Sequence, residues 1–430
     1  MWNVVKQIWD SREVRKSIAF VLVMIALFRL VAHVPIPGVN AAALTRLFDS
    51  NQLFGLLNVF SGGTIESFSV VALGVAPYIT ASIIFQLLAM VVPQLEEITK
   101  EGESGQRRIN QWTRVATVPL ALLQGYGLIA LLQKGGGANA AQAFVKISNS
   151  PLALVTTIVT LAAGTVFLMW IGELISERKI GNGISLIIFA GIVSRFPTMI
   201  RQVGATFDSS QTINMILYAV IAIVTIVGVV LITEGQRNIP VAYARRVVGT
   251  KIAGGTQSNL PLRVNMAGVI PIIFAISILL FPPVIGQFLL HARTPFVAHL
   301  AQSLISLFAN QLFYGVAYFV LVFGFTYFYT AVIFKPDQIA ENLQKQGGFV
   351  PGIRPGKPTA DYLGQVMNRI NFGGALFLGL IAVLPLIVRQ ATGSQLLVVG
   401  GTSLLIVVNV ITDSIKQIEA QLIMREYEVY

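Results

Sequence analysis

The sequence predicts an all-α polytopic membrane protein, with ten transmembrane helices in two inverted five-helix halves and a short re-entrant segment. Three observations predict it. Apolar residues gather in blocks of bilayer length, basic residues fall mostly on one side of those blocks, and the block pattern repeats once along the chain.

Hydrophobic residues make up 55% of the chain and charged residues 11%, with a mean hydropathy of +0.74. A soluble domain carries about 25% charged residues. The apolar surplus collects in blocks of about twenty residues, the length a helix needs to cross a hydrocarbon core of about 30 Å. Ten such spans run roughly over 17–34, 68–92, 115–132, 152–175, 183–196, 212–233, 264–290, 311–334, 370–388 and 396–411. The first follows Lys6, Arg12, Arg15 and Lys16, as a signal peptide would. It leaves through His33-Val34-Pro35-Ile36-Pro37-Gly38 without a small-residue cleavage site, so it is expected to be retained.

The basic residues set the orientation. With the amino terminus inside, the cytoplasmic segments hold 22 of the 30 Lys and Arg, the outer segments hold 7, and Arg29 lies within the first span. That bias places both termini in the cytoplasm. The two longest cytoplasmic loops, 234–263 and 335–369, are also the most basic, and the net charge of +11 is concentrated accordingly.

Spans two and seven both read G-V-x-P-x-I, at Gly74–Ile79 and Gly268–Ile273. Gly164, Phe167, Leu168 and Ile171 in span four recur as Gly374, Phe377, Leu378 and Ile381 in span nine. Gly183, Ser185, Leu186 and Ile188 in span five recur as Gly401, Ser403, Leu404 and Ile406 in span ten. Each match is five spans from its partner. Five is odd, so the second half enters the membrane upside down relative to the first. The halves are expected at 1–211 (spans one to five) and 212–430 (spans six to ten). Inverted repeats place their functional path between the halves near the midplane, where interrupted spans point to it. Pro77 and Pro271 are the expected interruptions, one kink in each half.

Little ionisable chemistry lies inside the spans. Arg29 and Glu173 are the clearest cases, with His33 and Arg195 near span ends, and snorkelling or ion pairing accounts for them as well as function does. The absence of cysteine excludes disulfides, thiolate metal sites and cysteine catalysis, and His33, His291 and His299 lack metal-ligand spacing. No metal, cofactor or catalytic constellation is expected, and the chain reads as a non-enzyme. The stretch Gly352-Ile353-Arg354-Pro355-Gly356-Lys357-Pro358-Thr359 is one residue too short between its glycines for a phosphate-binding loop, and Pro358 follows the lysine. An inverted-repeat secondary transporter of a small solute is the competing architecture; it calls for a midplane carboxylate or polar cavity.

Instead, the interrupted spans offer aliphatic residues. Val75 and Ile79 share one helix face, as do Ile184 and Ile188, and Ile273 and Ile406 are the repeat partners of Ile79 and Ile188. Such a stripe serves helix packing as readily as a pore; lining a pore, it would gate by excluding water. Between the first two spans, Asn58–Glu66 is too short and glycine-broken to cross. It is either a surface loop or a re-entrant segment held against protein.

Seven motifs in order carry a resemblance to the SecY protein-conducting channels: 72–88 (ALGVAPYITASIIFQLL), 100–105 (KEGESG), 164–174 (GTVFLMWIGEL), 180–193 (IGNGISLIIFAGIV), 264–271 (VNMAGVIP), 349–356 (FVPGIRPG) and 400–407 (GGTSLLIV). The resemblance implies a channel for unfolded or nascent polypeptides that also releases hydrophobic segments sideways into the bacterial cytoplasmic membrane. It implies a pore ring of Val75, Ile79, Ile188, Ile273 and Ile406, with Ile184 close by. It implies a plug, about 53–67, that includes Phe60, Ser61, Gly62, Gly63, Thr64 and Ile65. The lateral gate would lie between spans two and seven, at Thr80 and Gln86 on one and Asn265 and Ser277 on the other. Arg245, Arg246, Lys251 and Arg354 would meet a ribosome, through its RNA and proteins, or a SecA-type motor ATPase. The further partners implied are SecE-type and SecG-type small membrane subunits, signal peptides, nascent chains and membrane lipids. Val75 stands where the family often has isoleucine, and Asn238 where a second arginine is common.

Overall fold

The computed structural model describes residues 11–40, 44, 64–65, 67–135, 150–198, 201, 212–243, 246–248, 251–253, 257–290, 294–392 and 400–428. In chain order the elements are α1 (Arg12–Ala32), α2 (Ala76–Val91), α3 (Pro93–Lys100), α4 (Glu103–Gly135), α5 (Pro151–Glu177), α6 (Gly183–Val193) and α7 (Thr212–Glu234). Then come β1 (Gln236–Tyr243), β2 (Arg246–Val248), β3 (Lys251–Ala253) and β4 (Gln257–Arg263). The chain continues through α8 (Ile270–Leu289), α9 (Pro295–Ala309), α10 (Gln311–Ile333), α11 (Pro336–Lys345), β5 (Gly348–Phe349), α12 (Lys357–Thr392) and α13 (Gly400–Glu428).

Each expected span falls on one of these helices. Among the described residues, Pro151–Glu177, Lys357–Val388 and Gln311–Lys345, which takes in α10 and α11, are each long and apolar enough to cross a bilayer alone. The consecutive helices Ala76–Val91 and Pro93–Lys100 qualify together, with a bend of 101° between them.

Two compact units divide the chain. One comprises residues 1–215, 280–309 and 406–430; the other comprises 216–279 and 310–405. In the first, α4 packs on α2 and α5, and α1 packs on α5 and α6. Its core gathers Leu44, Ile65, Phe68 and Ala72 with Ala121, Ile129 and Leu132 of α4 and Leu161 of α5. Small residues set the closest approaches. A Cβ on Gly164 would collide with the carbonyl oxygen of Val70, and one on Gly183 with that of Gly172.

In the second unit α10 lies along α12, tied by a buried hydrogen bond from Thr330 Oγ1 to Asn371 Oδ1 of 2.9 Å. The two basic loops, read from sequence as separate, meet here in one sheet of order β4-β1-β5. β1 pairs antiparallel with β4 from Gln236 opposite Arg263 to Ala242 opposite Gln257, and with β5 through Ala242 opposite Phe349. Ile239, Leu262, Phe334, Val350, Leu363, Val366 and Met367 form a small core beneath it.

The expected kinks take a different form. Neither Pro77 nor Pro271 lies in the interior of its helix. Each is the second residue of its helix, where a missing N–H breaks no hydrogen bond and the fixed φ suits the first turn. The prolines within helices are Pro119, Pro282, Pro283 and Pro385. The interruption lies upstream of each proline, in irregular backbone at 67–75 and 264–269.

Candidate pore and gate elements

Both interruptions end alike. Gly74 has φ 58° and Gly268 has φ 63°, a left-handed conformation open to glycine at little cost. Val75 and Val269 follow, and their carbonyls accept the N–H of Ile79 at 3.0 Å and of Ile273 at 3.3 Å. Ile79 and Ile273 are therefore both the fourth residue of their helices, one turn from the start.

Buttressing repeats as well. Val70 lies four residues before Gly74 and Val264 four before Gly268. A Cβ on Gly374 would come within 2.7 Å of the Val264 carbonyl oxygen, as one on Gly164 would strike that of Val70. Gly164 and Gly374 are partners in the sequence repeat, so both halves wedge a glycine of one span against the irregular entry of another.

Each entry is held by hydrogen bonds within itself and to neighbouring segments, Val70 donating to the Val34 carbonyl at 3.0 Å and Val264 to the Gly235 carbonyl at 2.9 Å. In the first, Ala72 donates to Ser69 at 2.9 Å and Gly74 to Val71 at 2.8 Å. In the second, Asn265 Oδ1 accepts the Gly268 N–H at 2.9 Å while Asn265 Nδ2 donates to the Gly268 carbonyl at 3.3 Å. Phe68, Ser69, Val71, Ala72 and Leu73 are buried, as are Asn265, Ala267 and Val269.

Of the expected ring, Val75, Ile188 and Ile406 are buried and Ile79 and Ile184 half-buried in the first unit; Ile273, half-buried, belongs to the second. Ile184 and Ile188 ride on α6, whose start is capped by Asn182 Oδ1 accepting from Ile184 at 3.1 Å and Ser185 at 3.2 Å. Of the expected plug, Phe60, Ser61, Gly62 and Gly63 lie outside the described residues. Thr64 and Ile65 are buried, and Ile65 joins the core of α4 and α5.

The hydrogen bonds of the four expected gate residues stay within their own compact units. Thr80 Oγ1 donates to the Ala76 carbonyl at 3.0 Å and accepts from Gln124 Nε2 of α4 at 3.3 Å. Gln86 Nε2 donates to Ser82 Oγ at 3.1 Å, Ser277 Oγ donates to the Ile273 carbonyl at 2.9 Å, and Asn265 closes its own turn. Gln124 was not singled out from the sequence; its glutamine within an apolar span was the available signal.

Charge stays at the margins. Glu173 of α5 is ion-paired with Arg114 of α4. The Arg29 carbonyl is 2.7 Å from His33 Nδ1. Among the described residues no group of His, Asp and Glu could hold a metal. Outside the spans, the hydrogen bond that Lys100 donates to the Glu96 carboxylate raises the pKa of its ammonium, and the one that Lys345 donates to Glu341 lowers the pKa of that carboxyl. Of the basic contacts, Arg354 is exposed in a turn between Gly352 (φ 84°) and Gly356 (φ 92°). Arg246 and Lys251 lie on the paired strands β2 and β3, with Val248 opposite Lys251. Arg245 lies outside the described residues.

The model of the SecY family matches residues 69–415. The chain is 42% identical to the protein translocase subunit SecY of Corynebacterium glutamicum, over 99% of both chains. It is also 42% identical to that of Streptomyces scabiei, over 98% of this chain and 97% of the relative. Its fold is similar to a solved structure described as "The structure of a protein conducting channel", with a TM-score of 0.62 and 17% identity over 94% of this chain and 91% of that one. It is similar also to "Sec61 in the Canine ribosome-channel complex from the endoplasmic reticulum", with a TM-score of 0.60 and 16% identity over the same shares.

Proposed function

Because the chain belongs to the SecY family, we propose that it is the channel subunit through which unfolded or nascent polypeptides cross the cytoplasmic membrane and hydrophobic segments leave into lipid. One observation supports this reading beyond kinship: irregular backbone, at 67–75 and 264–269, lies within the expected second and seventh membrane spans immediately before a helix start. Non-helical backbone survives there only when buried in protein or lining a cavity. Discontinuous spans at equivalent repeat positions point to the functional path. The small-solute transporter reading finds no support in relatives that are translocase subunits.

On this reading Val75, Ile79, Ile184, Ile188, Ile273 and Ile406 make the waist, and the segment that includes Thr64 and Ile65 is the plug. Thr80, Gln86, Asn265 and Ser277 mark the two sides of the lateral gate. The gate reads hydrophobicity: a charge at the bilayer centre costs about 2.5–3.5 kcal/mol, whereas each Leu or Ile gains about 0.3–0.6. A segment exposed to lipid through an open seam is sorted by that difference. The sheet β4-β1-β5 joins the two basic loops, so Arg354 and the β2–β3 hairpin that carries Arg246 and Lys251 belong to a single platform. Its charge suits ribosomal RNA or an acidic motor surface. SecE-type and SecG-type subunits and a SecA-type motor complete the assembly. Both termini face the cytoplasm, in keeping with the basic bias and with contacts at one end of the first unit. There Gln421 of α13 donates to the carbonyls of Arg178 and Lys179, and Arg178 lies 4.4 Å over the Phe20 ring of α1.

The test is functional. Vesicles carrying the complete complex, supplied with the motor and ATP, should take up an unfolded export substrate and protect it from protease. Ion-coupled exchange of a small solute without uptake of polypeptide would contradict the assignment.

A further inference from the structure

Between α8 and α10, in the segment expected as a plain outer loop, the chain forms a 15-residue helix, α9. No Asp, Glu, Lys or Arg occurs from Thr294 to Phe334. At about 100° per residue, α9 presents three faces. Phe296, Leu300 and Leu307 align along one, 77%, 48% and 46% exposed. His299, Gln302 and Ser306 align along the next and are also exposed. The third faces protein: Ala301 is fully buried, and a Cβ on Gly286 of α8 would come within 2.9 Å of Ile305.

Both ends of α9 are tethered to spans. Four residues separate it from Leu290, and Asn310 alone separates it from α10, whose helix it caps at Leu312 and Phe313. α10 has 23 residues, and at 1.5 Å each they reach about 35 Å, so α10 uses its whole length to cross a hydrocarbon core of about 30 Å. Its first residue must then be at the membrane boundary, and so must the end of α9.

We propose that α9 is an interfacial lipid-binding helix. It lies in the headgroup plane of the outer leaflet, with Phe296, Leu300 and Leu307 among the acyl chains and His299, Gln302 and Ser306 in water. Lipid is the occupant because no charged side chain occurs from Thr294 to Phe334 and α9 ends one residue before a helix of bilayer length. A narrow apolar stripe flanked by an uncharged polar one is also the pattern of a helix bound by buried apolar area rather than by charge. The inference rests on the membrane-spanning reading above and gives this helix a ligand class, phospholipid acyl chains.

The chain has no cysteine, so single cysteines can be spin-labelled in the complete complex, reconstituted in phosphatidylethanolamine–phosphatidylglycerol vesicles. Labels at 296, 300 and 307 should gain collisions with oxygen and lose collisions with a water-soluble nickel chelate. Labels at 299, 302 and 306 should show the reverse. Nickel-accessible labels at 296, 300 and 307 would overturn the proposal. So would labels closed to both reagents there, which would mean that a partner subunit or a second copy covers the face. Val155 and Val159 of α5, 55% and 53% exposed, separate this proposal from its premise. If they too collide with nickel, the membrane reading fails; if they meet only oxygen, any failure belongs to α9. An impermeant maleimide should label Gln302→Cys in intact spheroplasts, and labelling from the cytoplasmic side alone would overturn the outer-leaflet placement.

Discussion

Lys179 holds a left-handed backbone, φ 55°, in the turn between α5 and α6. For a residue with a Cβ that conformation costs about 1–2 kcal/mol. The turn is fixed from outside. Gln421 Nε2 donates to the Arg178 carbonyl at 3.1 Å and the Lys179 carbonyl at 2.7 Å, and the Lys179 side chain is exposed. Glycine there removes the steric cost but adds about 0.4–1 kcal/mol of unfolded-chain entropy. Lys179→Gly should therefore stabilise the first unit by about 0.5–1 kcal/mol, whereas Lys179→Val, β-branched, should destabilise it. Thermal unfolding in detergent checks the order: the glycine variant should melt highest and the valine variant lowest, and the reverse order would contradict the strain. Phe68, at φ 42° and fully buried in the core with Ile65, is a second strained position.

Helices were legible where periodicity and length agree. Each expected span overlaps one helix, although the second and seventh begin in irregular backbone, and the repeat seen in Gly74–Ile79 and Gly268–Ile273 recurs as the same glycine and first turn. The irregular entries were not legible, because 67–75 and 264–269 are as apolar as the helices they precede. Composition cannot tell buried irregular backbone from helix. Pro77 and Pro271 marked the right places for the wrong reason, since proline begins these helices rather than bending them. The sheet escaped notice because β1 meets β5 across about a hundred residues and its period-two signal is short. Ile239 with Val241 and Leu260 with Leu262 alternate, but Pro240 and Pro261 interrupt them. α9 was hidden by its own apolarity. At this scale the glycine wedges make the sharpest prediction. Gly164→Ala forces a methyl into the Val70 carbonyl and should cost about 1–3 kcal/mol. Gly324→Ala on α10 meets nothing within 4 Å and should gain about 0.5–1 kcal/mol from helix propensity. Comparing the two by thermal unfolding and translocation rate checks this. Equal effects would show that the entry does not lean on span four.

For the molecule as a whole, two compact units each hold one irregular entry, one wedging glycine and one isoleucine a turn inside its helix. On the proposed reading, this repetition marks the polypeptide path. Ile79 and Ile273 were legible as repeat partners, and each is the fourth residue of its helix. The platform was readable only as charge, since its shape depends on the pairing of β1 with β5. Site-specific crosslinking of an arrested export substrate tests the central claim most directly. Photoreactive residues placed singly at Ile79 and Ile273 should each capture the substrate polypeptide, while one at Val159 captures lipid. Capture of lipid at both isoleucines, with the substrate demonstrably engaged, would contradict the path described here.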